Sequence, residues 1–119
     1  MYRNDGTDWT QIGQTIRGEA SDDRFGFSLS LSFDGKIIVI GGHLNDSNGL
    51  WSGHALVFRL SPNGQQWMQL GQELVGEAAV DTFGRSVSIS HDGTRIAIGA
   101  CKNDGNGDEA GHVRVYDLQ

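Results

Sequence analysis

The sequence predicts an all-β chain built from two copies of one antiparallel, four-stranded unit. Three observations carry this expectation. The segment DRFGFSLSLSFDGKIIVIGG, Asp23 to Gly42, returns almost letter for letter as DTFGRSVSISHDGTRIAIGA, Asp81 to Ala100, and no gap is needed to align them. Apolar residues alternate with a period of two or run in short blocks, and helical periodicity is absent. The 119 residues also hold 18 glycines against a single proline, which points to many tight turns rather than a disordered linker.

The repeat extends well beyond those twenty letters. At the same offset Trp9 falls on Trp67, Gly13 on Gly71, Gly18-Glu19-Ala20 on Gly76-Glu77-Ala78, and Gly53-His54 on Gly111-His112. A fixed period of this size signals stacked units: a solenoid, a propeller or an array. Inside each unit, Phe27, Leu29, Leu31 and Phe33 alternate with Ser28, Ser30 and Ser32, which predicts a strand with one bulky and one small face. Asp34-Gly35 predicts a two-residue hairpin turn. KIIVIGG follows, apolar on successive positions, as a strand covered on both faces requires. A loop rich in Gly, Asn and Asp leads to a third strand, HALVFRL, and SPNGQQ turns the chain into a fourth, WMQLGQEL. Four antiparallel strands in each repeat, both faces needing cover, describe a β-propeller blade. The two units span approximately residues 9–66 and 67–119.

These motifs resemble the FG-GAP repeats of integrin-like β-propellers. Phe25-Gly26 and Phe83-Gly84 match the Phe-Gly pair of that family; Gly41-Gly42-His43 and Gly99-Ala100-Cys101 match its Gly-Ala-Pro triplet, with the proline missing from both. GHALVF and GHVRVY resemble its closing strand. The resemblance implies an adhesion-type or surface role and an extracellular or cell-surface location. It also raises a calcium loop, Asp-x-Asp-x-Asp-Gly, in the first hairpin. Only Asp34-Gly35 and Asp92-Gly93 remain of it here, too few ligands for a cation that takes six to eight oxygens, so that site is not carried over.

Bulk properties narrow the partners. A formal charge of −6 disfavours nucleic acid and anionic membranes, and no basic stripe offsets it. No apolar run approaches the ~18 residues of a membrane span, and the polar start MYRNDGTDWT lacks a signal-peptide core. Either the protein stays inside the cell or the chain is an internal piece of a longer one. The single cysteine, Cys101, cannot form an internal disulfide and reads as a small buried side chain.

A closed ring needs about four to eight blades, and the chain encodes two, out of phase. Trp9 to Ile16 correspond to an outer strand with no inner strands before it, whereas the second unit stops after its third strand. The expectation is part of a ring of about six to eight blades. It would be completed by further copies in a homo-oligomer, by strand exchange, or by further blades of a longer chain.

Repetition separates scaffold from candidate site, because a residue present in both units serves the blade. Glu19 and Asp23, with their twins Glu77 and Asp81, could act as paired carboxylates, but recurrence favours acceptance of backbone N–H bonds in the connecting loop. His54 and His112 recur and read as satisfied loop or strand-edge histidines; Trp9 and Trp67 read as packing residues. His43 and His91 have no histidine twin and stay unassigned. In the loop between the second and third strands, Asp104, Asn106 and Asp108 alternate like the start of a calcium loop. Glu109 occupies that loop's glycine position, so a turn bonded to its own backbone competes with metal binding. Leu50 and Trp51, opposite Asp108 and Glu109 in the other unit, are the non-repeating contact candidates; Trp51 could stack on a sugar, anchor a protein, or fold over a neighbouring blade. No catalytic constellation is visible and no cofactor is implied beyond calcium at that loop. The reading is a non-catalytic module presenting blade-rim loops to a protein or glycan. A glycan-processing propeller and a calcium-stabilised lectin are the alternatives.

Overall fold

The computed structural model describes residues 2–4, 6, 9–18, 24–43, 51–77, 81–100 and 111–118. These form ten strands and no helix: β1 (Tyr2–Asn4), β2 (Trp9–Gln11), β3 (Ser28–Leu31), β4 (Ile37–Gly42), β5 (His54–Leu60), β6 (Trp67–Gln69), β7 (Leu74–Val75), β8 (Ser86–Ile89), β9 (Arg95–Ala100) and β10 (His112–Asp117). The first unit is a meander in the order β3-β4-β5-β6, with β7 also paired to β5. The second is β8-β9-β10, and β1 pairs with β2 as a separate two-stranded piece. All strand pairs are antiparallel.

The period of the letters is also the period of the backbone. Ser28 faces Gly41 and Ser86 faces Gly99; Gly42 faces His54 and Ala100 faces His112. The ten positive-φ glycines among the described residues fall into five pairs at the repeat spacing: 6 and 64, 13 and 71, 26 and 84, 35 and 93, 53 and 111. The Phe-Gly turns match as well. Gly26 N–H donates to the Gly41 carbonyl at 3.1 Å and Phe27 N–H to Arg24 at 3.0 Å; Gly84 donates to Gly99 at 3.0 Å and Arg85 to Thr82 at 3.1 Å.

Two expectations need correction. The Asp-Gly hairpins are four-residue loops. Ser32 N–H donates to the Ile37 carbonyl at 2.9 Å, and Gly35 N–H closes back on Ser32 O at 2.9 Å. The extra length comes from the serine: its hydroxyl donates to Asp34 Oδ1 at 2.7 Å and accepts Ile37 N–H at 3.1 Å, while Asp34 Oδ1 also accepts Lys36 N–H at 3.0 Å. Ser90 and Asp92 repeat this net, and Ser61 and Asn63 build it a third time between β5 and β6. Second, the outer strand is split. Gly71, at φ +76°, interrupts the run between β6 and β7, so Trp67–Gln69 pairs with the end of β5 and Leu74–Val75 with its start. The second sheet has three strands among the described residues, in line with a second unit that reaches only its third strand.

Sheet packs on sheet with opposite faces. Val39, Ala55 and Val57 of the first sheet meet Ile96, Ile98 and Ala100 of the second, with Val87, Ile89 and Tyr116 packed around them. On β3 it is the serine face that turns toward the second sheet: Ser28 Oγ donates to the Gly84 carbonyl at 2.7 Å and Ser30 Oγ accepts Ile89 N–H at 3.2 Å. Phe83 lies in this core, fully buried. Its burial contributes on the order of 1.5–3 kcal/mol. The small residues of the first sheet's face are what admit it so closely.

A Cβ placed at Gly41 would overlap the Gly84 carbonyl. Gly41→Ala is expected to cost about 1–3 kcal/mol through forced separation of the sheets, read from urea unfolding; an unchanged midpoint would refute the contact. A second prediction concerns the turns. Bonds from Thr94, Ser90 and the Thr94 amide hold the Asp92 carboxyl at about 2 against an ordinary 3.8, and Ser32 with the Lys36 amide moves Asp34 in the same direction. A depressed carboxyl anchors its turn fully above the unfolded value and loses the anchor as pH falls through the folded one. Carboxyl NMR titration should place the Asp92 midpoint near 2, and Ser90→Ala should move it toward 3.8.

Candidate functional site

The Phe-Gly turns, the end of β4 and the start of β5 all lie at one edge of the sheets, since Ser28 pairs with Gly41 and Gly42 with His54. This edge is the rim on which the sequence places its contact candidates. Trp51 stands there at φ +55°, a left-handed backbone that costs an indole-bearing residue roughly 1–3 kcal/mol. The second unit holds it in place. Thr82 N–H donates to the Trp51 carbonyl and Phe83 N–H to that of Ser52, both at 2.9 Å, and Gly76 N–H donates to Gly53 O at 3.0 Å. Trp51 is 43% exposed. Its backbone is therefore clamped by the neighbouring unit while its ring still meets solvent. Leu50, Asp104, Asn106, Asp108 and Glu109 lie outside the described residues, as do Glu19 and Asp23.

Behind the rim sits a buried polar layer. His54 is fully buried and its Nδ1 pairs with Glu73 Oε2. The Phe25 ring meets the imidazole edge-on with centroids 6.0 Å apart. His54 thus occupies the structural role its recurrence predicts, although it is a core residue rather than one at a strand edge. Glu77 is structural too: Arg114 Nη2 bonds its Oε2 at 2.5 Å, and His112 Nδ1 lies 3.8 Å from its Oε1. The Tyr116 side chain and then Glu77 push the Arg114 guanidinium further up. This ties the connection between the units to β10. Asp81 is buried at the entrance to the second Phe-Gly turn.

One cluster escaped sequence reasoning. The His43 ring lies against Phe27 with centroids 4.4 Å apart, and the Arg85 guanidinium sits 5.5 Å from the centre of the Phe27 ring. Burial first, then the charges of Arg85 and Arg24, hold His43 below its usual value, so it is neutral at physiological pH. Its Nδ1 is buried without a hydrogen-bond partner among the described residues. Phe27 and Arg85 occupy equivalent positions in the two repeats with unlike side chains. That mismatch was the available signal, because non-repeating positions are where a ligand can be served. His91, the other unassigned histidine, is exposed and stacks on its own twin Phe33 at 4.1 Å.

Among the described residues no group of three His, Cys, Asp or Glu side chains converges as a metal centre, and no helix is long and apolar enough to cross a membrane.

A family model for the FG-GAP repeat matches the chain twice, over residues 15–58 and 76–116. The matches contain both Phe-Gly turns, β3 and β4 with most of β5, and β8 and β9 with most of β10. None of the curated proteins matches the chain.

Glu73→Ala would strip the buried His54 of its carboxylate. It should cost about 1–3 kcal/mol in urea unfolding, and a neutral result would show that the pair is not part of the folded core.

Proposed function

The chain belongs to the FG-GAP repeat family, and on that premise we propose that it is a non-catalytic, integrin-like β-propeller module. It presents the loops of one blade rim to a protein or glycan ligand at the cell surface or outside the cell. The observation that carries this reading is Trp51. A large, part-exposed indole is rigidly mounted on a clamped backbone, at a position that the second unit does not repeat. Rigid aromatic anchors lose little conformational entropy on binding, and they stack equally well on sugar faces and on protein side chains. Phe27 and Arg85, also non-repeating and on the same rim, add an apolar face and a cation beside it.

Glycan-array and protein-ligand binding by the wild type beside Trp51→Ala tests the proposal. Ligands should be bound by the wild type and bound at least about tenfold more weakly by the variant, as expected for loss of a central aromatic contact. Undiminished binding by Trp51→Ala would overturn the assignment. Release of shortened glycans from the array would replace it with glycan processing.

A further inference from the structure

We infer that the junction between the two units is a recognition site for a carboxylate-bearing sugar, with Arg85 holding the acid and Phe27 packing on the flat of the ring. The site is part of the rim proposed above and rests on that proposal, to which it adds a ligand class. Phe27 directly precedes Ser28 and Arg85 directly follows Gly84, and the Ser28 hydroxyl donates to the Gly84 carbonyl at 2.7 Å. The two side chains therefore meet where the chain's own units join, and neither unit can build the pair alone. The Arg85 guanidinium lies 5.5 Å from the centre of the Phe27 ring. The imidazole of His43, which follows β4, lies 4.4 Å from the same ring.

Charge singles this place out. The chain carries a formal −6, yet Arg85, from the start of the second sheet, and Arg24, from the turn before β3, both bear on His43. Among the described residues Arg95 and Arg114 are bonded to Asp117 and Glu77, whereas Arg24 and Arg85 have no carboxylate partner. Both are exposed. A guanidinium in that state keeps its planar fork of donors for a carboxylate brought by a ligand. His43 supplies a second, independent sign. It is 6% exposed, and its Nδ1 is buried without a hydrogen-bond partner among the described residues. Leaving a buried polar nitrogen unpaired is costly, and a ligand oxygen seated beside the Phe27 ring offers it a bond.

The shape of the cluster selects the ligand. Phe27 is 54% exposed even with Arg85 and His43 against it, so part of its ring is open to a ligand. A pyranose presents a face of C–H groups that packs on an aromatic ring, and in a uronic or sialic acid the carboxylate is fixed to that same pyranose. One such sugar residue meets the aromatic face and the cation together. An aspartate or glutamate side chain brings the carboxylate without the face, and a neutral sugar brings the face alone. Binding also acts on His43. Burial first, then the charges of Arg85 and Arg24, hold its midpoint down, and a seated carboxylate offsets those charges. The imidazolium is then less disfavoured, so the His43 midpoint rises on binding and, reciprocally, affinity rises as pH falls through it.

Calorimetric titration with oligogalacturonate and with sialyllactose, each beside its methyl ester, tests the site. The ester keeps the ring and removes the charge. The wild type should bind at least one acid about tenfold more tightly than its ester, as loss of a charged hydrogen bond requires, and the acid preferred separates a uronate site from a sialate site. Arg85→Gln should erase the difference, and Arg85→Lys should keep only part of it, because an ammonium lacks the fork. Histidine NMR should show the His43 midpoint rising on saturation of the wild type and staying put in Arg85→Gln, a response that a merely structural arginine would not give. Equal affinity for acid and ester, acid binding that survives Arg85→Gln, or no binding of either acid would overturn the inference. Trp51-dependent binding of a neutral glycan or a peptide, unaffected by Arg85→Gln, would also overturn it while leaving the rim reading in place. Acid binding lost in Arg85→Gln but untouched by Trp51→Ala would uphold this site and remove only the Trp51 anchor.

Discussion

The rest of the structure depends on the seating of one Phe-Gly turn against the neighbouring sheet. Phe83 enters a fully buried position, Thr82 and Phe83 donate to the carbonyls of Trp51 and Ser52, and the Gly84 carbonyl receives the Ser28 hydroxyl. These bonds satisfy backbone groups that would otherwise be stranded where β5 begins, and unpaired buried amides and carbonyls are costly. They also fix the rotation of one sheet on the other, which an apolar contact alone leaves loose. The requirement for glycine follows: Gly41, Gly53 and Gly84 each lie where a Cβ would strike main-chain atoms across the interface. The Phe-Gly pair is thus a docking device between units rather than a feature of one sheet.

The rim gains its geometry from the same device. Trp51 is left-handed because its carbonyl must face Thr82, and Thr82 is left-handed as well, at φ +55°. The candidate ligand residue and the interface residue share one hydrogen bond. Rigidity at the rim therefore comes from the contact between the units. The His54–Glu73 pair and the Glu77–Arg114 bond brace the layer below, one within the first unit and one between the connection and β10.

Strand identity was legible in the sequence wherever apolar residues ran consecutively. HALVFRL is β5 to the residue and KIIVIGG loses only Lys36 from β4. Turn type was not legible from Asp-Gly alone, because the serine two residues before the aspartate recruits the backbone into a longer loop. Trp9 and Trp67 mark the deeper limit of repeat reasoning: identical letters guarantee an identical capacity for contact, while burial depends on what stands opposite. The same limit hid the His43–Phe27–Arg85 cluster, which draws on both units and exists only once they are docked. The loops bearing Leu50 and Asp104 to Glu109 fall outside the described residues.

The self-bonded Ser-x-Asp/Asn-Gly turns bear on the order in which the chain folds. Each closes a loop between residues five apart, such as Ser32 and Ile37, using only its own side chains and amides. Hairpins of that kind form within roughly 1–10 μs, whereas bringing Ser28 to Gly84 closes a loop of 56 residues and carries a larger entropic cost. Three preassembled meander corners therefore await a slower, long-range event. That event converts loose ribbons into a stacked pair, and it sets the pace at which the molecule matures.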